Sequence, residues 1–234
     1  MNRNYNIGVK MTRKQVFWGW LYLPFYLVLT SWWLQFLAGL LGLEITDFQL
    51  NLAYFAVNFA VVLLIYHRFL IKSFRGFTEH FWKFIQTLIL GFALYYFTNY
   101  VLSWLLETLG GSRPNFNDEV VNGLVLQNRA AMLVCSVVVA PVVEEVLVRG
   151  VVFGTIHGKS RIAAYIVSVL LFCFMHVWQY YGSADFIHIL RSALQYIPAA
   201  AALGWTYEKS GTIWTPIVLH AIINAISYGL AVGV

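Results

Sequence analysis

The sequence predicts an all-α protein, a polytopic transmembrane bundle of about seven spans, and three observations predict it. Hydrophobic residues make up 60% of the 234-residue chain and charged residues only 11%, whereas a soluble domain is roughly a quarter charged. Apolar runs long enough to cross a bilayer, about 20 residues each, recur from one end to the other. These runs are continuous rather than alternating, which argues for helices and against a transmembrane barrel.

The first span is read as 16–43. The run from Val16 to Leu43 holds 28 residues without a charge, too long for the apolar region of a signal peptide, so it is expected to be retained. The next two spans are 49–66 and 84–106. A connector at 107–129 follows, read as a plain loop, with a surface helix as the alternative its amphipathic tail allows. Four more spans complete the chain at 130–156, 162–184, 186–207 and 211–234. The organisation expected is an N-terminal membrane region, 1–129, with three spans and an external connector, and a four-span core, 130–234. No soluble domain, internal repeat or low-complexity tract is evident.

Basic residues set the expected orientation. Arg3, Lys10, Arg13 and Lys14 precede the first span; Arg68, Lys72, Arg75 and Lys83 follow the second; Lys159, Arg161 and Lys209 fall on the same side. Glu44, Asp47, Glu107, Asp118, Glu119 and Asp185 gather on the other, with only Arg113, Arg129 and Arg191. The positive-inside rule then puts the N-terminus in the cytoplasm and the C-terminus on the opposite side. The net charge of +5 reflects this topology, so nucleic acid is not an expected partner. Cys135 and Cys173 fall inside spans and read as buried apolar thiols.

The fourth span carries charges that a bilayer disfavours. Glu144, Glu145 and Arg149 stand in an otherwise apolar run, and each ionised group at mid-membrane costs on the order of 2.5–3.5 kcal/mol. Glu145 and Arg149 are four apart, so they share a helix face and can pair. Glu144 is turned about 100° away and has no partner on its own helix, which leaves it free for chemistry. His176 stands alone in the fifth span; His220 and Asn224, four apart, share a face of the seventh. At 1.5 Å per residue, Glu144 lies roughly 18 Å from the cytoplasmic end of its span, His176 roughly 21 Å, His220 roughly 12 Å and Asn224 roughly 18 Å. All are near the middle of a core about 30 Å thick.

Three motifs in order, Glu144-Glu145-x-x-x-Arg149, Phe172-x-x-x-His176 and His220-x-x-x-Asn224, resemble the CPBP family, the CAAX proteases and bacteriocin-processing enzymes, also known as type II CAAX prenyl endopeptidases or the ABI family. The resemblance covers about 130–230; residues 1–129 match nothing specific. It implies a helical bundle around a water-filled intramembrane cavity and hydrolysis of a peptide bond in a membrane-associated protein or peptide. Carried over by position, Glu144 and His176 would activate water, His220 and Asn224 would stabilise the oxyanion, and Glu145, Arg149 and Phe172 would support the site.

The residue types suit that chemistry, since amide hydrolysis needs a base for water, donors for an oxyanion and an acid for the leaving amine. Two histidines and a glutamate also form a familiar zinc set, His176, His220 and Glu144, but no HExxH helix is present, and a metal-free mechanism is preferred. Two other classes compete. A transporter would spread polar residues along its spans, whereas Gln35, Asn58, Gln86 and Asn99 are few in the first three. A non-catalytic scaffold or immunity protein could keep the same bundle. Outside the motifs, His188 and Arg191 are read as reaching headgroups, His67, His80 and His157 as loop residues, and Trp178, Tyr180 and Tyr181 as an interfacial aromatic belt. The Ala199–Ala202 run with Gly204 reads as close helix packing, with a kink at Pro198.

Overall fold

A computed structural model describes residues 8–183 and 185–231. Arg3 of the basic N-terminal group, Ala184 and Val232–Val234 of the last expected span lie outside the described residues. The chain forms helices α1 (Arg13–Leu40), α2 (Asp47–Glu79), α3 (Phe81–Gly110), α4 (Phe116–Gln127), α5 (Arg129–His157), α6 (Arg161–Tyr180), α7 (Phe186–Ser210) and α8 (Trp214–Ala231). No β-strand occurs among the described residues. Among the described residues, six helices, α1–α3 and α5–α7, are long and apolar enough to cross a membrane. The 18-residue α8 stands where the seventh span was expected.

Local chemistry explains most helix starts. Thr12 with Gln15, and Thr46 with Gln49, form reciprocal capping boxes at the heads of α1 and α2. Asn128, Ser160 and Asp185 cap α5, α6 and α7 through side-chain oxygens. Gly211, in the left-handed region at φ 76°, closes α7. Two boundaries depart from the sequence reading. Helix α2 runs on to Glu79, past the expected end at 66, because Val62, Tyr66, Phe69, Leu70 and Ser73 keep one buried face after charges appear on the other. The connector holds a helix, α4, rather than a plain loop. Asn115 caps it by accepting hydrogen bonds from the backbone of Asn117 and Asp118, and Asn117, Leu124 and Val125 are buried.

Prolines shape α1 and α5. In α1 the chain widens into a π-helical turn at Phe25–Leu29, directly after Pro24. In α5 it does so at Cys135–Val139, just ahead of Pro141, and again over Val146–Phe153. A proline ring clashes with the carbonyl four residues back and offers no N–H, so a locally wider helix relieves both. Helix α7 breaks at Tyr196, two residues before Pro198.

Helix α5 is the centre of the bundle: 67% of its apolar stretch is buried, against 6% for α3. Around it, Tyr26 of α1, Tyr66 of α2, Ala164 of α6, Tyr207 of α7 and Ile217 of α8 join Val143, Val146 and Leu147 in one core. In lipid, apolar burial alone does not hold helices together, so close contact and interhelical hydrogen bonds matter more. Both are present. Gly91 of α3 lies so near Thr206 of α7 that any Cβ would collide with it, and Ala200 and Ala202 are fully buried. Tyr22 donates to Asn58 Oδ1 at 2.6 Å, and Trp214 Nε1 donates to the Leu70 carbonyl at 3.0 Å. The outward face carries Trp32, Leu64, Trp82 and Leu109, each about three-quarters exposed, as a lipid-facing surface requires.

Candidate active site

Helix α5 delivers Glu144, Glu145 and Arg149; α6 delivers Phe172 and His176; α8 delivers His220 and Asn224. Five of these seven, Glu144, Phe172, His176, His220 and Asn224, line one cavity of about 860 Å³. Glu145 and Arg149 lie behind its wall, fully buried. The 100° rotation between Glu144 and Glu145 therefore separates a cavity-facing carboxylate from one that faces the bundle.

The buried pair is held from several sides. Arg149 donates from one terminal nitrogen to Glu145 Oε1 at 2.9 Å and from the other to the Ala200 carbonyl at 3.0 Å. Its guanidinium also sits over the Phe172 ring, 4.4 Å from the centroid. One cation thus ties α5 to α6 and α7. Glu145 Oε1 additionally accepts from His220 Nδ1 at 2.8 Å, which brings α8 into the same knot.

Hydrogen bonds fix the orientation of both imidazoles. His176 Nδ1 lies 2.8 Å from the Phe172 carbonyl, which can only accept, so Nδ1 carries a proton and Nε2 points into the cavity. His220 Nδ1 is likewise committed to Glu145, and its Nε2 also turns inward. Glu144 Oε2 faces both, 3.8 Å from His176 Nε2 and 3.9 Å from His220 Nε2. This oxygen is buried and has no hydrogen-bond partner among the described residues. These gaps are too long for direct hydrogen bonds, yet a water about 2.8 Å from each atom would bridge either. Asn224 donates one amide hydrogen to the Ser136 carbonyl at 2.8 Å, beside the π-helical turn of α5, and keeps a second to donate.

Residues 126–226 match the family described as type II CAAX prenyl endopeptidase Rce1-like. The resemblance to the CPBP family is borne out. A 101-residue stretch is 28% identical to the "Putative membrane peptidase YdiL" of Bacillus subtilis (strain 168), covering 43% of this chain and 37% of that protein. The match thus spans little more than a third of the relative's length. No solved structure matches the chain.

Glu144, His176 and His220 offer zinc suitable donor atoms, two imidazole nitrogens and a carboxylate. Ligands about 2.0–2.1 Å from a tetrahedral zinc lie about 3.3–3.4 Å from one another, and the separations here are 3.8 and 3.9 Å. No group of three or more His, Cys, Asp or Glu side chains among the described residues is gathered closely enough to hold a metal ion.

Several residues of the pocket lie outside the CPBP motifs and carried no signal in the sequence. Tyr26 of α1, 5% exposed, lines the same cavity as Glu144. Tyr54 of α2 donates to the Tyr26 carbonyl at 3.0 Å. Tyr196 of α7 stacks on His176, with ring centroids 4.2 Å apart and planes inclined by 29°. Tyrosines within apolar runs read as packing residues, and only the tertiary fold turns these toward the site.

Three peripheral readings also change. His188 and Arg191 hold the loop after α3, bonding the Pro114 and Gly111 carbonyls, instead of reaching outward to headgroups. His157, read as a loop residue, pairs with Glu208, which also binds Arg161 and Tyr165. Tyr180 donates to Asn117 of α4 and lines the cavity rather than facing a membrane interface.

Proposed function

We propose that this protein is an intramembrane endopeptidase that hydrolyses a peptide bond in a membrane-associated protein or peptide. The supporting observation is Glu144 Oε2, buried without a hydrogen-bond partner and facing the inward Nε2 atoms of His176 and His220 across gaps of one water's width. A water there gives one hydrogen to Glu144 and the other to His176 Nε2, leaving a lone pair for the scissile carbonyl. Glu144 takes the proton as the C–O bond forms. His220, oriented through Nδ1 by the Glu145 carboxylate, and the second amide hydrogen of Asn224 stabilise the oxyanion. Glu144 then passes its proton to the departing nitrogen, so the cycle closes with no net change in the protein.

This mechanism uses no metal, and the separations around Glu144 favour that version over zinc held by His176, His220 and Glu144. Turnover should survive exhaustive chelation. One zinc per chain that follows activity through removal and restoration would reverse the assignment. Orientation belongs to the same proposal: the basic residues put the N-terminus in the cytoplasm and the connector with α4 outside. The function itself is tested by comparing membrane peptides from cells carrying wild type or Glu144→Ala. Uncut precursors should accumulate only with the variant. Identical peptide profiles in the two strains would contradict a peptidase.

A further inference from the structure

We infer that Tyr196 is a positioning residue for His176, linking the external helix α4 to the water-activating imidazole. The inference rests on the peptidase reading of the pocket and concerns a residue outside its three motifs. Among the described residues, His176 has a single hydrogen bond fixing its plane, from Nδ1 to the Phe172 carbonyl. One bond leaves a ring free to swing about it. The remaining constraint comes from two aromatic faces: Phe172, with its centroid 4.5 Å away, and Tyr196 at 4.2 Å. Phe172 rides on the same helix one turn earlier and moves with the histidine. Tyr196 comes from α7, at its break before Pro198, and supplies the external reference.

The Tyr196 ring is itself anchored at its far end. Its hydroxyl donates to Asp118 Oδ1 at 3.0 Å and accepts from Asn117 Nδ2 at 2.9 Å. Asn117 is 7% exposed and accepts in turn from Tyr180 at 2.8 Å. The start of α4 is pinned to α7 through Ser192, which accepts from the Phe116 N–H and, by its carbonyl, from Asn115 Nδ2. A continuous chain of contacts therefore runs from α4 through Tyr196 to the face of His176. Displacement of a catalytic group by about an ångström can cost about a hundredfold in rate, so a ring with one face unsupported should lose turnover rather than binding.

Purified protein in proteoliposomes, with a substrate identified from the peptide comparison, tests this. Tyr196→Leu removes the stack and should lower kcat about tenfold or more with KM within about twofold. Tyr196→Phe keeps the stack, loses the anchor and should fall between Leu and wild type. Selective 15N labelling of histidine gives a readout independent of turnover. His176 should show a single Nδ1–H tautomer in wild type and averaged or shifted signals in Tyr196→Leu at unchanged melting temperature. Unchanged kcat and an unchanged His176 spectrum in folded Tyr196→Leu would overturn the inference, as would a change in KM alone. Failure of wild type to cut any peptide would instead strike the peptidase reading, while the histidine spectra would still test the contact.

Discussion

Glu144 and Glu145 are adjacent in sequence and opposite in environment, and their substitutions should differ in kind. Glu144→Gln and His176→Ala remove the groups proposed to hold water but break no buried ion pair. Each should abolish cleavage while the purified variant melts as wild type does; normal turnover in either would end its assignment. Arg149→Ala removes a guanidinium bonded to Glu145 and Ala200 and packed on Phe172. It strands a buried carboxylate, which typically costs about 3–5 kcal/mol. The expected result is a markedly lower melting temperature and poor yield, and a wild-type melting curve would contradict the tie. At this scale the sequence was informative because charge in an apolar span demands a partner. The four-residue spacing of Glu145 and Arg149 named theirs. Tyr26 and Tyr196 stayed hidden because a tyrosine costs a span little, so its presence there signals nothing.

At the scale of elements, hydropathy marked where spans lie but not where helices end. Helix α2 continues to Glu79 because its buried face persists after the lipid-facing side turns polar. Helix α4 was obscured by the turn residues before it, and its role depends on Asn115, Asn117 and Asp118 meeting α7, contacts no local pattern encodes. Its Asp118 offers a separate test. Burial pushes this carboxyl above its ordinary value, against the opposing hydrogen bonds from Tyr196 and Asn117. A carboxyl raised on folding costs stability once ionised. The cost is full above the folded value and vanishes below the unfolded one. Asp118→Asn, which still accepts from Tyr196, should therefore melt higher than wild type near pH 7. The gap should close as pH falls through the acidic range. A gap that widens toward acid would show that Asp118 is stabilised as an anion.

On the scale of the whole molecule, the N-terminal helices are part of the site's construction. Tyr26 of α1 lines the cavity with Glu144, Tyr54 of α2 braces Tyr26, and Tyr66 of α2 shares the core with α5. The motifs lie entirely in the last four helices, so residues 1–129 looked separate from the chemistry until α1 and α2 were seen against α5. The polar belt was legible as a common depth, roughly 12–21 Å by helix rise. Its closure into one cavity was not, since depth says nothing about which faces meet. The central claim is that water held between Glu144 and two histidines cleaves a peptide bond inside this bundle. The most direct measurement is cleavage in 18O-labelled water by wild type and Glu144→Gln in chelator-treated proteoliposomes. One labelled oxygen in the new carboxylate of the wild-type product, and no product from the variant, is the result expected. Comparable labelled product from Glu144→Gln, or wild-type product without the label, would contradict it.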